Sequence, residues 1–132
     1  MRLWRRVSIN DNHVKHTIAL ALESLDSACV EYADQFVQQL LREAEQCRAS
    51  DVHLQPRPQG LEVHWRIDGV IQRLGLFSFG DQSQPISRLK VLAGLLTYRT
   101  DIPQEGRIRD FLETEMRLAT YPTVFGERAV VR

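Results

Sequence analysis

Asp51-Val52-His53-Leu54-Gln55-Pro56-Arg57-Pro58-Gln59-Gly60-Leu61-Glu62-Val63-His64-Trp65-Arg66-Ile67-Asp68-Gly69-Val70 is the stretch on which the fold turns. Val52 and Leu54 alternate with polar neighbours, and so do Leu61, Val63, Trp65 and Ile67 after the Pro/Gly-rich break. Period-two alternation on both sides of a turn signal predicts two antiparallel strands. Keeping both apolar sets on one face pairs Val52 with Trp65 and Leu54 with Val63, because a one-residue slip would expose them all. That register sets Asp51 beside Arg66 and His53 beside His64 on the opposite face. Asp68-Gly69 is a two-residue hairpin turn into a third strand, Val70 to Phe77.

Upstream the period changes. Cys29, Ala33, Phe36, Val37, Leu40, Ala44 and Cys47 recur at three- and four-residue steps, predicting an amphipathic helix of about five or six turns that ends near Arg48. Asp26 or Ser27 supplies its N-cap. Before it, Asn10-Asp11-Asn12 suits the start of a short helix carrying Val14, Ile18, Leu22 and Leu25, although Ile18/Leu20/Leu22 would also fit a strand. Residues 1–25 read as an arm or linker.

Downstream, Ser83 is placed to cap a helix with Pro85 in its first turn and a stripe of Ile86, Leu89, Leu92, Ala93 and Leu96. A loop through Asp101–Gly106 precedes three further strands at Arg107–Phe111, Glu115–Tyr121 and Gly126–Val131. Two or three helices with about six antiparallel strands make an α+β domain.

The 132 residues are 43% hydrophobic and 26% charged, with 17 basic and 17 acidic groups. This composition excludes disordered and low-complexity classes, and the length predicts one domain. No apolar run nears the roughly 20 residues of a membrane span, and no secretory signal follows the basic start. Zero net charge argues against general nucleic-acid binding. Residues 1–22 carry a net +3, residues 23–47 a net −5 and residues 48–132 a net +2. Fifteen of the cations are arginine, with Lys15 and Lys90 as the exceptions. Base composition accounts for such a skew; so would a need for the planar, always-charged guanidinium that matches phosphate and carboxylate. Cys29 and Cys47, on one helix, would lie about 27 Å apart, beyond the ~7 Å reach of a disulfide.

Motifs narrow the chemistry. The chain holds no GxxxxGK[ST] phosphate loop, HExxH, CxxC, GxSxG or GxGxxG. His53 and His64 lack a third ligand for metal, and Asp51 beside Arg66 reads as an ion pair. Arginine remains: Arg99, Arg107, Arg109, Arg117, Arg128 and Arg132 crowd the last third. Arg107 follows Gly106, read as a turn that lets backbone and side chain face one cleft. Arg117, between Met116 and Leu118, points away from the core.

The wording of five ordered blocks is informative. Ala49–Pro56 resembles the ASDIHLEP segment of the ATPases that drive type II secretion and type IV pilus assembly (the GspE, PulE and PilB family). Arg66–Ile71 resembles that family's RIDGVL hairpin, and Ile86–Leu95 its ISRLKVLAGL helix. Pro103–Ile108 resembles PQDGRI, and Met116–Arg128 resembles VRVSTLPTVHGEKV. Together they cover most of residues 37–132. The resemblance implies that residues 26–132 form the PAS-like domain preceding a RecA-like ATPase domain. It implies arginines, here Arg107 and Arg117, that reach nucleotide phosphates supplied by the ATPase domain. ATP and Mg would belong to the full-length protein and none to this domain alone. A cytoplasmic homo-hexamer, peripheral to the inner membrane through platform proteins and without nucleic-acid partners, is the corresponding expectation. The similarity stops at Arg132, so a longer chain with a phosphate loop beyond it is expected. Asp101 stands where the family often has Arg or Lys, and Arg48 where it has glycine. The alternatives are a stand-alone PAS-like protein-interaction module and a small enzyme or metal site on His53, His64 and Asp51.

Overall fold

The computed structural model describes residue 22, residues 31–79, residue 81 and residues 83–132. The expected arm and the Asp26/Ser27 cap lie outside the described residues, apart from Leu22, which is helical and fully buried.

Helix α1, Tyr32–Gln46, buries Tyr32, Phe36, Val37, Leu40, Leu41 and Ala44, a stripe at helical spacing. Its outer side carries i,i+4 pairs: Gln38 donates to Asp34 (2.9 Å) and Gln39 to Glu43 (2.8 Å). Cys47 is the C-cap residue, half-buried and packed against the core. The helix then stops by backbone geometry. Arg48 takes a positive φ of 57°, its N–H bonds the Glu45 carbonyl, and the Ala49 N–H reaches back to Ala44. This is the Schellman arrangement, built on arginine where glycine is usual.

Strands β1 (Asp51–Arg57), β2 (Gly60–Ile67) and β3 (Val70–Phe77) form a meander; β1 and β2 pair in the register the alternation requires, including Asp51 opposite Arg66 and His53 opposite His64, and the β2–β3 ladder shifts register between Val63 and His64. Asp68 and Gly69 both have positive φ, as a two-residue hairpin turn of the primed type demands. Helix α2, Gln84–Leu92, follows with Pro85 in its first turn. Ser83 occupies the cap position, but its hydroxyl donates to Asp81 (2.6 Å) and makes no capping bond. Leu96 is exposed, not part of the buried stripe, because the helix ends at Leu92 and Gly94 turns the chain with φ 69°. Gly94 N–H to Val91 and Leu95 N–H to Lys90 repeat the Schellman pattern of α1.

Strand β4 is Gln104–Ile108, three residues earlier than the expected Arg107–Phe111. Pairing with β5 selects Gln104–Ile108, and Asp110, at φ 62°, bends the chain away beyond it. Strand β5 (Met116–Thr123) runs two residues past its expected end, and Gly126–Val131 is β6 as expected. Pro122 is tolerated in β5 because β4 pairs no further than Thr120.

The sheet order is β3-β2-β1-β6-β5-β4, antiparallel throughout. With two helices among the described residues, the expected α+β class is observed. The inner face supplies Val52, Leu54, Val63, Trp65, Ile108, Leu118, Ala129 and Val131 to one core with both helices. Phe36 packs edge-on against Phe77 and Phe79 at 5.0 Å between ring centres. Among the described residues no helix is long and apolar enough to cross a membrane.

The Schellman turn at Arg48 makes a direct prediction. Left-handed backbone costs a side chain that glycine does not carry, so Arg48→Gly raises stability by about 0.5–1 kcal/mol in urea unfolding. A loss of stability would show that the arginine side chain contributes more than its backbone conformation costs.

Candidate functional site

Strand register lines up the arginines. Asp51 on β1 faces Arg66 on β2, and the β1–β6 pairing of Val52 with Val131 brings Asp51 beside Arg132, just past β6. Arg132 and Arg117 exchange both backbone hydrogen bonds (2.8 and 2.9 Å), and Arg117 faces Arg107 on β4. The result is a transverse row, Arg66–Asp51–Arg132–Arg117–Arg107, across five adjacent strands spaced about 4.8 Å apart. Its neighbours along the strands, Trp65, Val52, Val131, Leu118 and Ile108, are buried in the core. Alternation therefore puts the row on the open face of the sheet.

Two carboxylates hold most of the row. Asp51 contacts Arg66 Nε at 3.2 Å and Arg132 Nε at 3.8 Å. Glu115 contacts Arg107 Nη1 at 3.3 Å and Arg109 Nε at 3.7 Å. Arg117 has no ion pair among the described residues. Glu105, Gly106, Arg107 and Arg117 line a shallow groove of about 260 Å³. Such an edge offers guanidinium donors to an anion, with Arg117 the least committed.

Gly106 is not in a turn, as the sequence suggests, but inside β4. A Cβ there would come within 2.9 Å of the Ala93 carbonyl and 2.8 Å of Leu95 Cδ2, so only glycine lets β4 lie this close to the end of α2. Gln104 strengthens that contact: its amide accepts from Leu96 N–H (2.9 Å) and donates to the Leu96 (3.0 Å) and Arg99 (2.8 Å) carbonyls. The Arg99 carbonyl also receives Lys90 Nζ (2.7 Å), whose other contacts are the two Glu127 carboxylate oxygens at 2.9 and 3.0 Å. Lys90 is 0% exposed and the Glu127 side chain 7%. This buried pair ties α2, the loop before β4 and the β5–β6 hairpin together. Sequence reasoning passes over it, although Lys90 lies on the stripe of Ile86, Leu89 and Ala93.

The remaining candidates supply little chemistry. Burial lowers the pKa of His53 despite the pull of Asp51, and its Nε2 is buried without a hydrogen-bond partner. No group of three or more His, Cys, Asp or Glu among the described residues is arranged to hold a metal ion. Burial, reinforced by Glu43, pushes the Cys47 thiol up to about 11, far from the thiolate a nucleophile needs at neutral pH. Arg99 is engaged by Asp101 (Nε–Oδ1 3.0 Å), whose carboxyl that bond holds below its usual range.

Fold and row define an antiparallel α+β domain with a cationic, guanidinium-bearing sheet face. Residues 25–132 match the family model described as type II/IV secretion system protein. The chain belongs to that family. It is 39% identical over 103 residues to the type IV pilus assembly ATPase PilB of Thermus thermophilus, matching 76% of this chain and 12% of that protein. It is 40% identical over 100 residues to the protein transport protein HofB homolog of Haemophilus influenzae, 71% of this chain and 21% of that one. Against the type II secretion system protein E of Xanthomonas campestris it is 34% identical over 96 residues, 70% and 17% of the two chains. The matched region is thus a fifth or less of most of these relatives' length.

The Lys90–Glu127 pair has a measurable signature. Removing one member leaves a buried charge uncompensated, so Lys90→Met lowers stability by about 3–5 kcal/mol in urea unfolding. Lys90→Met combined with Glu127→Leu recovers most of that loss, since the paired deletion leaves no orphan charge. Equal losses in the single and double variants would count against an electrostatic origin.

Proposed function

We propose that residues 26–132 form a PAS-like domain that precedes a RecA-like ATPase domain in a hexameric secretion or pilus-assembly ATPase. Residues 1–25 act as its arm. The family membership supports the assembly class, and the cross-strand placement of Arg107 and Arg117 supports the role. The two guanidinium groups project from neighbouring strands into one groove, and Arg117 pairs with no carboxylate among the described residues. In this reading the ATPase domain of the same or a neighbouring subunit supplies the phosphate loop, ATP and Mg. Arg107 and Arg117 meet the phosphates from the opposite side.

Guanidinium suits this task for a physical reason. Charge shifts onto the γ-phosphate oxygens during transfer, and a fixed planar fork stabilises it without reorganising. Loss of the γ-phosphate removes the anion that holds the sheet face to the ATPase domain. Hydrolysis is thereby coupled to domain motion. The chain carries no phosphate loop and does not hydrolyse ATP alone. The protein works in the cytoplasm and reaches the inner membrane through platform proteins.

The test is ATP turnover of the full-length hexamer. Arg107→Ala and Arg117→Ala are each expected to reduce it by about a thousandfold or more, the low end of arginine-finger effects. Unchanged turnover in a well-assembled Arg107→Ala hexamer would refute the role.

A further inference from the structure

Glu115 does more than decorate the face. It precedes Arg117 by two residues, so alternation puts both side chains on the open side of the sheet. From there it reaches two guanidinium groups with separate oxygens: Oε1 to Arg107 Nη1 at 3.3 Å and Oε2 to Arg109 Nε at 3.7 Å. Neither contact is a bidentate fork. Both members of the Arg107 pair stay about half exposed, at 49% and 47%. By contrast, Asp34 grips Arg88 at 2.6 Å elsewhere on the surface. The Glu115 pairings are long, open and easily exchanged.

We propose that Glu115 is an internal stand-in for phosphate, occupying Arg107 and Arg109 until a phosphate chain displaces its carboxylate. It thereby sets the affinity at which the arginine row accepts an anion. This rests on the reading of Arg107 and Arg117 as phosphate contacts and adds a competitor to it. Carboxylate and phosphate oxygens compete for the same guanidinium N–H donors, and phosphate, with more charge and more oxygens, wins when it can reach Arg117 as well. With the phosphate gone, Glu115 takes back Arg107 and Arg109, so three cations are not left facing one another. An exposed pair of this kind tunes affinity modestly, by no more than about fivefold.

Glu105 supplies the control. It lines the groove of Arg107 and Arg117 and is exposed, and no guanidinium lies within ion-pair distance of it among the described residues. Glu105→Gln and Glu115→Gln remove the same charge, but only the second frees an arginine.

The 132-residue chain is titrated calorimetrically with inorganic tripolyphosphate at low ionic strength. Glu115→Gln is expected to bind about two- to fivefold more tightly than the parent. Glu105→Gln is expected to gain clearly less, and the Glu115→Gln gain is expected to vanish in a background lacking both of its partners, Arg107→Ala with Arg109→Ala. Equal gains from the two glutamine variants would reduce the effect to bulk charge and overturn the proposal. A gain that survives loss of both Arg107 and Arg109, or no tripolyphosphate binding by parent and variant alike, would overturn it too. Turnover of the full-length Arg107→Ala hexamer tests the underlying reading independently: a loss there with no Glu115 effect here leaves that reading standing and removes only the competitor.

Discussion

A six-stranded sheet with both described helices packed on one side has to solve two surfaces with one alternating chain. Every inward residue must be apolar enough to join the core around Phe36, Trp65 and Leu118, and every outward one must tolerate water. Because antiparallel register is shared from strand to strand, polar choices made far apart in sequence are brought into lines across the open face. Arg66, Asp51, Arg132, Arg117 and Arg107 form such a line. The site is therefore a by-product of the same constraint that builds the core. Moving any strand by one residue would bury the arginines and expose their apolar neighbours.

The second organising contact is where the helical layer meets β4. Lys90 is a charge kept in a dry place by full satisfaction of its donors: two carboxylate oxygens and one backbone carbonyl. Gln104 binds the same Arg99 carbonyl from the strand side, and Gly106 allows the backbones to approach. These polar contacts do not need to add stability relative to an apolar core. They specify which part of the loop sits over which strand, and that choice decides where Arg107 begins.

Much of the architecture was legible in the residues. The β1–β2 register is legible in Val52, Leu54, Val63 and Trp65, since a one-residue slip would turn one apolar set outward. The Asp68-Gly69 hairpin is legible in the same way, because few dipeptides accept two positive φ values. The start of β4 was not. Gln104-Glu105-Gly106 has no apolar alternation, and its strand character comes from its partner on β5. Lys90 was hidden because a charged residue argues against burial, and its counter-ion comes from a strand outside any local window. Arg107 and Arg117 were identified by resemblance to a motif. Their direct opposition, the inclusion of Arg132 and the hold of Glu115 are products of topology: β6 sits between β1 and β5, and no local pattern announces that crossover.

The double grip on the Arg99 carbonyl has a mechanical meaning. A segment held at one backbone atom by a buried ammonium and by a strand amide cannot act as a slack tether between α2 and β4. Gln104, the Arg99 carbonyl, Lys90 and Glu127 thus form one continuous chain of hydrogen bonds from β4 through the loop to α2 and the far hairpin.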